Sequence, residues 1–438
     1  MEQVYHGPAP WLQRRNRLPS TLFTALMTMQ RRVKEKEATP NESPDSERLA
    51  YDASFWMAYL ANTSLMVAVS VLFRYADFVF YLGGAEFELG LIVGVGMVGA
   101  LSMRIVQGIG IDRYGPRLVW LLSLSLFIVS TLGHLAITRV DGPAIYIARM
   151  VMTVGVAGAF GASLTYISLR VPEVRIAEMI GMLGSSGFVG LALGPVLGDY
   201  LFLSGAAEVI EIQRMFLLSA FMATLSVFFA AWATRGEIRR AARRRLPMLW
   251  LVRRYHPGHL LLVAIAMGIG VGLPHVFLRA YTAELNIPGI RTFFLVYAVT
   301  AFGVRIATRR LTQTVGIHAV IVLGLACLSG SMLLYLIVTR EALLAIPAIF
   351  AGIAHAFLFP AVVAGGSASF PSRYRGLATT LVLGMFDVGN LIGQPTVGGI
   401  VHLAKQWNMP AYPTMFVCIA AVLAAIDVFY LWAGRAKR

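Results

Sequence analysis

The chain has 438 residues, of which 58% are hydrophobic and 13% are charged, and its formal net charge is +15. Soluble domains carry roughly a quarter charged residues, whereas the mean hydropathy of this chain is +0.71. This composition excludes an ordinary soluble protein and indicates a membrane protein.

The first 53 residues are predicted to form a cytoplasmic tail. Basic residues flank a short apolar run, Leu22 to Met29, which cannot span a bilayer and favours a position at the membrane interface. The stretch from Thr39 to Asp52 is rich in Pro, Glu, Ser and Asp, a composition typical of disorder.

Apolar stretches long enough to cross a hydrocarbon layer of roughly 30 Å follow the tail. Twelve of them lie near 55–81, 88–110, 117–138, 142–170, 176–204, 212–234, 258–282, 290–309, 316–338, 342–370, 376–404 and 411–434. The sequence therefore predicts an all-α membrane protein with twelve transmembrane helices.

The distribution of Lys and Arg predicts the orientation, because cytoplasmic loops hold the excess of these residues. With the N-terminus inside, the outside segments hold only Arg139, Arg214, Arg291, Arg340 and Lys405. The inside segments hold many more, including eight arginines in the linker at 235–257. Both termini are thus predicted to be cytoplasmic, in a plasma or bacterial inner membrane. The linker is expected to lie against anionic lipid headgroups, so the net charge requires no nucleic acid.

Arg74 and Asp77 are the first charges inside a predicted helix. They are three residues apart, share a helix face and can neutralise one another near the outer end. Arg279, in the seventh stretch, repeats Arg74. The two arginines are candidates for attracting an anionic substrate; alternatively, both snorkel to the membrane interface.

The loop between the second and third stretches is short and highly charged. It reads Gly108-Ile-Gly-Ile-Asp112-Arg113-Tyr-Gly115-Pro-Arg117, with glycines for close backbone approach and charges for ion pairs between helices. The pattern G-x-x-x-D-R-x-G-x-R resembles the loop signature of the major facilitator superfamily of secondary transporters. The resemblance implies a conformational latch in which Asp112 pairs with arginines nearby and at the start of the eleventh helix. The alternative is a helix stop and topology signal.

Two further features resemble antiporters of this superfamily. Arg149, in the fourth stretch, resembles an arginine used in proton coupling, although Thr153 stands where a glycine is expected. A structural salt bridge is the alternative for Arg149. The fifth stretch contains Gly190, Gly194, Pro195 and Gly198, which predict a close-packing face and a hinge. It ends Gly198-Asp199, where the antiporter signature has Gly-Gly.

The eleventh stretch contains the deepest carboxylate identified, Asp387, with Asn390 on the same face. A lone carboxylate near the bilayer midplane is a candidate for proton coupling or substrate binding. It is alternatively a hydrogen-bonded structural acid. His355, in the tenth stretch, is a second candidate proton carrier, with a hydrogen-bonded packing histidine as its alternative.

An internal repeat supports two parallel halves. Segment 175–199 aligns with segment 375–399, so that Gly184, Pro195 and Gly198 match Gly384, Pro395 and Gly398. The resemblance implies two pseudo-symmetric six-helix bundles. The predicted domains are the tail (1–53), the first bundle (54–234), the basic linker (235–257), the second bundle (258–434) and a cytoplasmic C-terminus (435–438).

Other chemistries find little support. The sequence has no GxxxxGK[ST] loop, and its histidines and two cysteines are too scattered for a metal site. We expect no enzyme activity, cofactor or metal. The predicted function is proton-coupled efflux of a small amphipathic solute or metabolite by a monomer. The alternatives are proton- or ion-coupled symport of a sugar, carboxylate or other nutrient, and a non-transporting membrane sensor or scaffold.

Overall fold

The computed structural model describes residues 51–170, 175–202, 208–236, 253–308, 311–371 and 374–435. The chain divides into two units, 1–52 and 53–438. The predicted tail up to residue 50, residues 237–252 of the basic linker and residues 436–438 lie outside the described residues. The expectations for these segments therefore stay predictions.

Twelve long helices make up most of the described part of the second unit. The first, α1, runs as Ala53–Val71, a 3-10 turn at Leu72–Arg74, and Tyr75–Tyr81. The first half continues with α2 (Glu86–Tyr114), α3 (Pro116–Gly133), α4 (Pro143–Arg170), α5 (Ile176–Leu201) and α6 (Val209–Ala233). The second half contains α7 (Leu260–Glu284), α8 (Arg291–Ala307), α9 (Ile317–Leu334), α10 (Ala345–Ala368), α11 (Arg375–Gln406) and α12 (Ala411–Arg435).

Ten of these helices are long and apolar enough to span a membrane. The other two are α8, with 17 residues, and α11, whose 32 residues include several polar ones. At 1.5 Å per residue α8 still extends about 26 Å. In α11, Asp387, Asn390 and Gln394 are buried against other helices and do not face lipid. The predicted all-α membrane class with twelve helices is confirmed.

The two halves repeat one packing scheme. In the first half α1 packs on α5 and α6, α4 packs on α2 and α3, and α3 packs on α6. Each contact recurs six helices later: α7 with α11 and α12, α10 with α8 and α9, and α9 with α12. Between the bundles, α2 packs on α11 and α8 packs on α5, which are again equivalent contacts. The predicted pair of pseudo-symmetric six-helix bundles is therefore confirmed.

The repeat extends to the backbone before α3 and α9. Gly115 has φ 84° and ψ 156°, and Gly316 has φ 85° and ψ 153°. Glycine adopts this region readily, whereas a side chain would strain it. Pro116 then occupies the first position of α3, where its missing N–H leaves no helical hydrogen bond unmade. The second half thus keeps the turn of the charged loop although it lacks the acid.

Candidate functional site

A buried group of charges joins the bundles at the end where α1, α5 and α7 finish. This is the end that the Lys and Arg distribution predicts to be extracellular, and we call it the predicted outer end. The group consists of Arg74 and Asp77 of α1, Asp199 of α5 and Arg279 of α7, all at most 9% exposed. We call these four residues the outer charge cluster.

Asp77 is the centre of the outer charge cluster. Its carboxylate lies 2.8 Å from Arg74 Nε and 2.9 Å from Arg279 Nε. One acid therefore pairs with an arginine from each bundle, which compensates charges that are expensive to bury alone. The snorkelling alternative for Arg74 and Arg279 is wrong, because both are buried and paired, and attraction of an anionic substrate by them stays a prediction.

Asp199 connects the cluster to the start of α8 in the other bundle. Its Oδ1 accepts a 3.0 Å hydrogen bond from Arg74 Nη1, and its Oδ2 accepts 2.8 Å bonds from the backbone N–H groups of Ile290 and Arg291. The first N–H groups of a helix have no partner within the helix, and a negative charge is favoured there. An acid of the first bundle thus caps a helix of the second, at the residue where the chain departs from the Gly-Gly signature.

Glu86 makes a second connection at the predicted outer end. It begins α2, and its Oε1 lies 2.5 Å from Lys405 Nζ near the end of α11 and 3.1 Å from the Tyr412 hydroxyl at the start of α12. Glu86 is 8% exposed. The bundles are therefore joined through ion pairs on two sides of this end.

The second site lies deeper and contains Asp387. Arg104, the nineteenth of the 29 residues of α2, donates from Nε to Asp387 Oδ2 in α11. The side chains are 18% and 8% exposed, respectively. The expectation that Asp387 is a lone carboxylate is therefore wrong, because an arginine from the other bundle pairs with it. The sequence signal for Arg104 is its position as a single charge well inside an apolar stretch.

Asn390 lies near Asp387 but uses its hydrogen bonds within α11. Its Nδ2 donates to Phe386 O at 3.1 Å, and its Oδ1 accepts from Gln394 Nε2 at 3.0 Å. Gly272 of α7 leaves the space that these two side chains occupy. Asn390 thus lies at the contact between α7 and α11 within the second bundle, and substrate binding by it stays a prediction.

His355 of α10 lies in a group of aromatic rings. The Tyr297 hydroxyl and His355 Nδ1 share a hydrogen bond. Ring centroids of Phe188, from α5 of the first bundle, and Phe359 lie 5.6 and 5.7 Å from the imidazole. This geometry matches the hydrogen-bonded packing alternative, and proton transfer by His355 stays a prediction.

Arg149 of α4 is half-buried and lies against α1. Its guanidinium carbon is 4.6 Å from the Tyr75 ring centroid, a cation–π contact, while its Nε makes no hydrogen bond. Thr153, at the position where a glycine is expected, donates from its hydroxyl to Gly96 O of α2. Among the described residues no carboxylate pairs with Arg149, so the salt-bridge alternative finds no partner there.

The charged loop after α2 is described in part. Gly108 belongs to α2, but its surroundings and the side chain of Asp112 lie outside the described part of the structure, so the latch stays a prediction. Arg113 is exposed, and its guanidinium carbon lies 5.3 Å from the Tyr114 ring centroid. Arg117 Nη1 donates a 2.7 Å hydrogen bond to Thr234 O after α6, which fastens the start of α3 within the first bundle.

The glycines of α5 lie where this helix crosses α1. The Ser70 hydroxyl donates a 2.7 Å hydrogen bond to Gly190 O, and a Cβ on Gly194 would lie 2.8 Å from Ser70 Cβ. Gly198 lies farther along the same face, and Pro195 is inside the helix. Small residues here allow close helix approach. Bending at Pro195 stays a prediction.

The spanning helices and their two-bundle repeat define an integral multi-pass membrane protein. A sequence model described as Major Facilitator Superfamily matches residues 53–340. The chain belongs to the major facilitator superfamily. An uncharacterized MFS-type transporter of Methanocaldococcus jannaschii is 21% identical over 363 residues, covering 79% of this chain and 90% of the relative.

Solved structures of transporters share the fold. The nucleoside transporter NupG superposes with a TM-score of 0.70 at 14% identity, covering 87% of this chain and 98% of NupG. A D-xylose-proton symporter gives a TM-score of 0.67 at 15% identity, covering 85% of this chain and 96% of the symporter. A bacterial homolog of the human lysosomal transporter Spinster gives a TM-score of 0.68 at 16% identity, covering 87% of this chain and 96% of the homolog. At these identities the likeness establishes the fold alone.

Proposed function

We propose that the protein is a proton-coupled secondary transporter that exports a small amphipathic solute or metabolite by antiport. The two bundles would rock about a site between them and expose it to one side of the membrane at a time. The observation that carries the proposal is the ion pair between Arg104 and Asp387. We also propose a monomer in the bacterial inner membrane, with both termini cytoplasmic.

The Arg104–Asp387 pair is suited to proton coupling because it is largely buried and joins two bodies that must move. Protonation of Asp387 removes the negative charge and weakens the attraction between α2 and α11. The inner halves of the bundles are then held less tightly, which favours opening toward the predicted cytoplasmic side. Loss of the proton restores the pair and favours closure there around a bound solute. The proton is therefore carried inward as the transporter opens to the cytoplasm, and the solute is carried outward as it closes there.

Export is supported by α5. Its glycine and proline pattern resembles the fifth-helix signature of antiporters, and Gly190 and Gly194 lie directly against α1. The D-xylose-proton symporter has the same fold, so the fold itself does not choose a direction.

The test is proton movement in proteoliposomes that contain the purified protein, under an imposed pH gradient. Amphipathic cations, sugars and organic acids are added in turn, and solute and proton fluxes are recorded together. Asp387→Asn removes the titrating group while keeping the shape of the side chain. Asp141→Asn is the matched control, since Asp141 also pairs with an arginine but lies in an exposed loop.

We expect one solute class to move against the proton flux in wild type and in Asp141→Asn, and this coupling to be lost in Asp387→Asn. Proton movement in the same direction as the solute would replace antiport by symport, the import alternative. Unchanged coupling in Asp387→Asn would remove Asp387 as the coupling residue.

A further inference from the structure

Arg305 is a charge inside the protein that the proposed mechanism does not use. It is the fifteenth of the 17 residues of α8 and is half-buried on the helix face that also carries Ala298 and Ala301. Among the residues that the structure describes, no carboxylate pairs with it. Its sequence neighbours Arg309 and Arg310 are also basic. An arginine that is half-buried and has no acid partner among the described residues is a candidate binding residue.

One aromatic ring, that of Phe359, lies beside Arg305. Its guanidinium carbon lies 6.0 Å from the Phe359 ring centroid, the outer limit of a cation–π contact. The Phe359 ring lies 5.7 Å from that of His355, so Phe359 is next to both the arginine and the imidazole. The five hydrogen-bond donors of the guanidinium have no protein acceptor in the described part of the structure.

Both bundles contribute to this aromatic group. Tyr297, His355 and Phe359 come from α8 and α10, whereas Phe188 comes from α5 of the first bundle. The Phe188 ring lies 5.6 Å from His355 and 6.4 Å from Phe302. A ligand that packs against both Phe188 and Phe359 would therefore contact both bundles. Contact with both bundles is what links binding to their relative movement.

We propose that Arg305 and the rings of Phe188, His355 and Phe359 form a binding site for a small organic anion with an apolar or aromatic body. The guanidinium takes the carboxylate or a similar oxyanion through paired N–H donors, and the rings pack against the body. The site rests on the proposed function in that it supplies the substrate class of the transporter. An anion also leaves an inside-negative cell in the direction favoured by the membrane potential, which agrees with export.

The alternative substrates are disfavoured by the same geometry. A cation would meet an unpaired arginine, and a sugar would leave the guanidinium without its preferred acceptor. A hydrated inorganic anion would use Arg305 but gain nothing from the rings. The test therefore uses ligands that share an aromatic ring and differ in charge.

The test uses three probes with the same ring and different charges: 2-naphthoate, 2-naphthamide and 2-naphthylmethylamine. Binding to detergent-purified protein is measured by isothermal titration calorimetry, which requires neither transport nor a pH gradient. The variants are Arg305→Gln, which removes the charge, and Arg305→Lys, which keeps it. Arg214→Gln is the control, because Arg214 is an exposed arginine of α6.

We expect wild type and Arg214→Gln to prefer 2-naphthoate over both other probes. Loss of a charged hydrogen-bond partner typically weakens binding about tenfold or more, so Arg305→Gln should bind 2-naphthoate at least that much more weakly. Arg305→Lys should keep part of the preference for the anion. Retained binding by this variant shows that the site still folds after substitution of Arg305. Phe359→Ala should weaken binding of both 2-naphthoate and 2-naphthamide.

The proposal is overturned if wild type binds none of the probes, or if it binds the amide or the amine as tightly as the naphthoate. It is also overturned if Arg305→Gln keeps the preference for the anion. These outcomes are separable from failure of proton coupling. An anion that binds through Arg305 but moves without protons in proteoliposomes keeps this site and removes the antiport proposal. Proton antiport of a cation that does not depend on Arg305 keeps the antiport proposal and removes this site.

Discussion

The predicted outer end and the deeper part of the interface between the bundles are held in different ways. At the outer end the acids Asp77, Asp199 and Glu86 each bind groups of the opposite bundle, and all three are buried. In the deeper part, the described side chains give one pair between the bundles, Arg104–Asp387, and Arg305 has no acid. Charges at the outer end are thus mutually satisfied, whereas Arg305 in the deeper part has no acid partner among the described residues.

Under the proposed mechanism, the outer charges hold a conformation and the deeper charges respond to a proton or a ligand. The outer charge cluster has its partners already in place, so its free energy favours the state in which the outer end is closed. Opening that end must break these contacts. Removing one member of a buried pair typically costs about 3–5 kcal/mol, while exposed pairs contribute about 0–1 kcal/mol. Burial therefore ranks the substitutions below.

Asp77→Asn is expected to have the largest effect, because it leaves Arg74 and Arg279 buried without their shared acid. The closed outer end should lose about 3–5 kcal/mol, which is a shift of roughly a hundredfold to several thousandfold in the closed-to-open ratio. Spin labels at Val209 and Met409, exposed positions near the outer starts of α6 and α12, report this through their distance distribution. The two native cysteines are replaced by serine first.

The double variant Asp77→Asn, Arg279→Gln is the control for the Asp77 prediction. Removing the arginine together with the acid eliminates an uncompensated charge, so the closed population should partly return. A distance distribution in Asp77→Asn that matches wild type would mean that the cluster does not hold the outer end closed.

The architecture of this protein follows largely from its sequence. Apolar stretches of membrane-spanning length predict the helices, and the repeat of segment 175–199 in segment 375–399 predicts two similar bundles. These features are recognisable because hydropathy and local spacing are properties of a continuous segment. The structure adds that Gly316 before α9 has the backbone conformation of Gly115 before α3.

The partners of the charged residues do not follow from the sequence. Arg104 and Asp387 are 283 residues apart, and Asp199 and Ile290 are 91 residues apart. Such pairs depend on how the two bundles meet, which no local pattern contains. Arg305 is informative only because the structure provides no acid for it among the described residues. The sequence thus indicates which charges are inside the membrane, whereas the assembled interface decides which are paired.

Asp199→Asn is expected to have an intermediate effect. Asparagine keeps the size of the side chain and one oxygen acceptor for α8, but it loses the charge that attracts Arg74 and the helix N-terminus. Loss of charge-assisted hydrogen bonds should shift the closed-to-open ratio at the same labels by about tenfold or more. Asp199→Gly, which restores the Gly-Gly of the antiporter signature, removes both acceptors and should shift it further. Equal label-distance distributions in wild type, Asp199→Asn and Asp199→Gly would mean that capping of α8 by Asp199 has no part in closure of the outer end.

Asp141→Asn is expected to have the smallest effect and tests whether burial is what ranks these charges. Arg139 lies 2.8 Å from Asp141, but the two side chains are 77% and 64% exposed. The hydrogen bond and charge of Arg139 hold the pKa of Asp141 below its ordinary value. A carboxylate of lowered pKa contributes stability above its unfolded-state pKa and loses it as the pH falls through the folded-state pKa. Any difference in folding stability between Asp141→Asn and wild type should therefore be present at pH 7 and vanish at strongly acidic pH.

Because solvent and salt screen an exposed pair, that difference should be close to experimental error in thermal unfolding, and the label distances should not change. The geometry of the Arg139–Asp141 pair is as good as that of Arg74 and Asp77, so geometry alone would predict equal effects. A shift in Asp141→Asn as large as that in Asp199→Asn would show that proximity of charges, and not their burial between the bundles, sets the conformational preference. The distinction between the two parts of the interface would then fail.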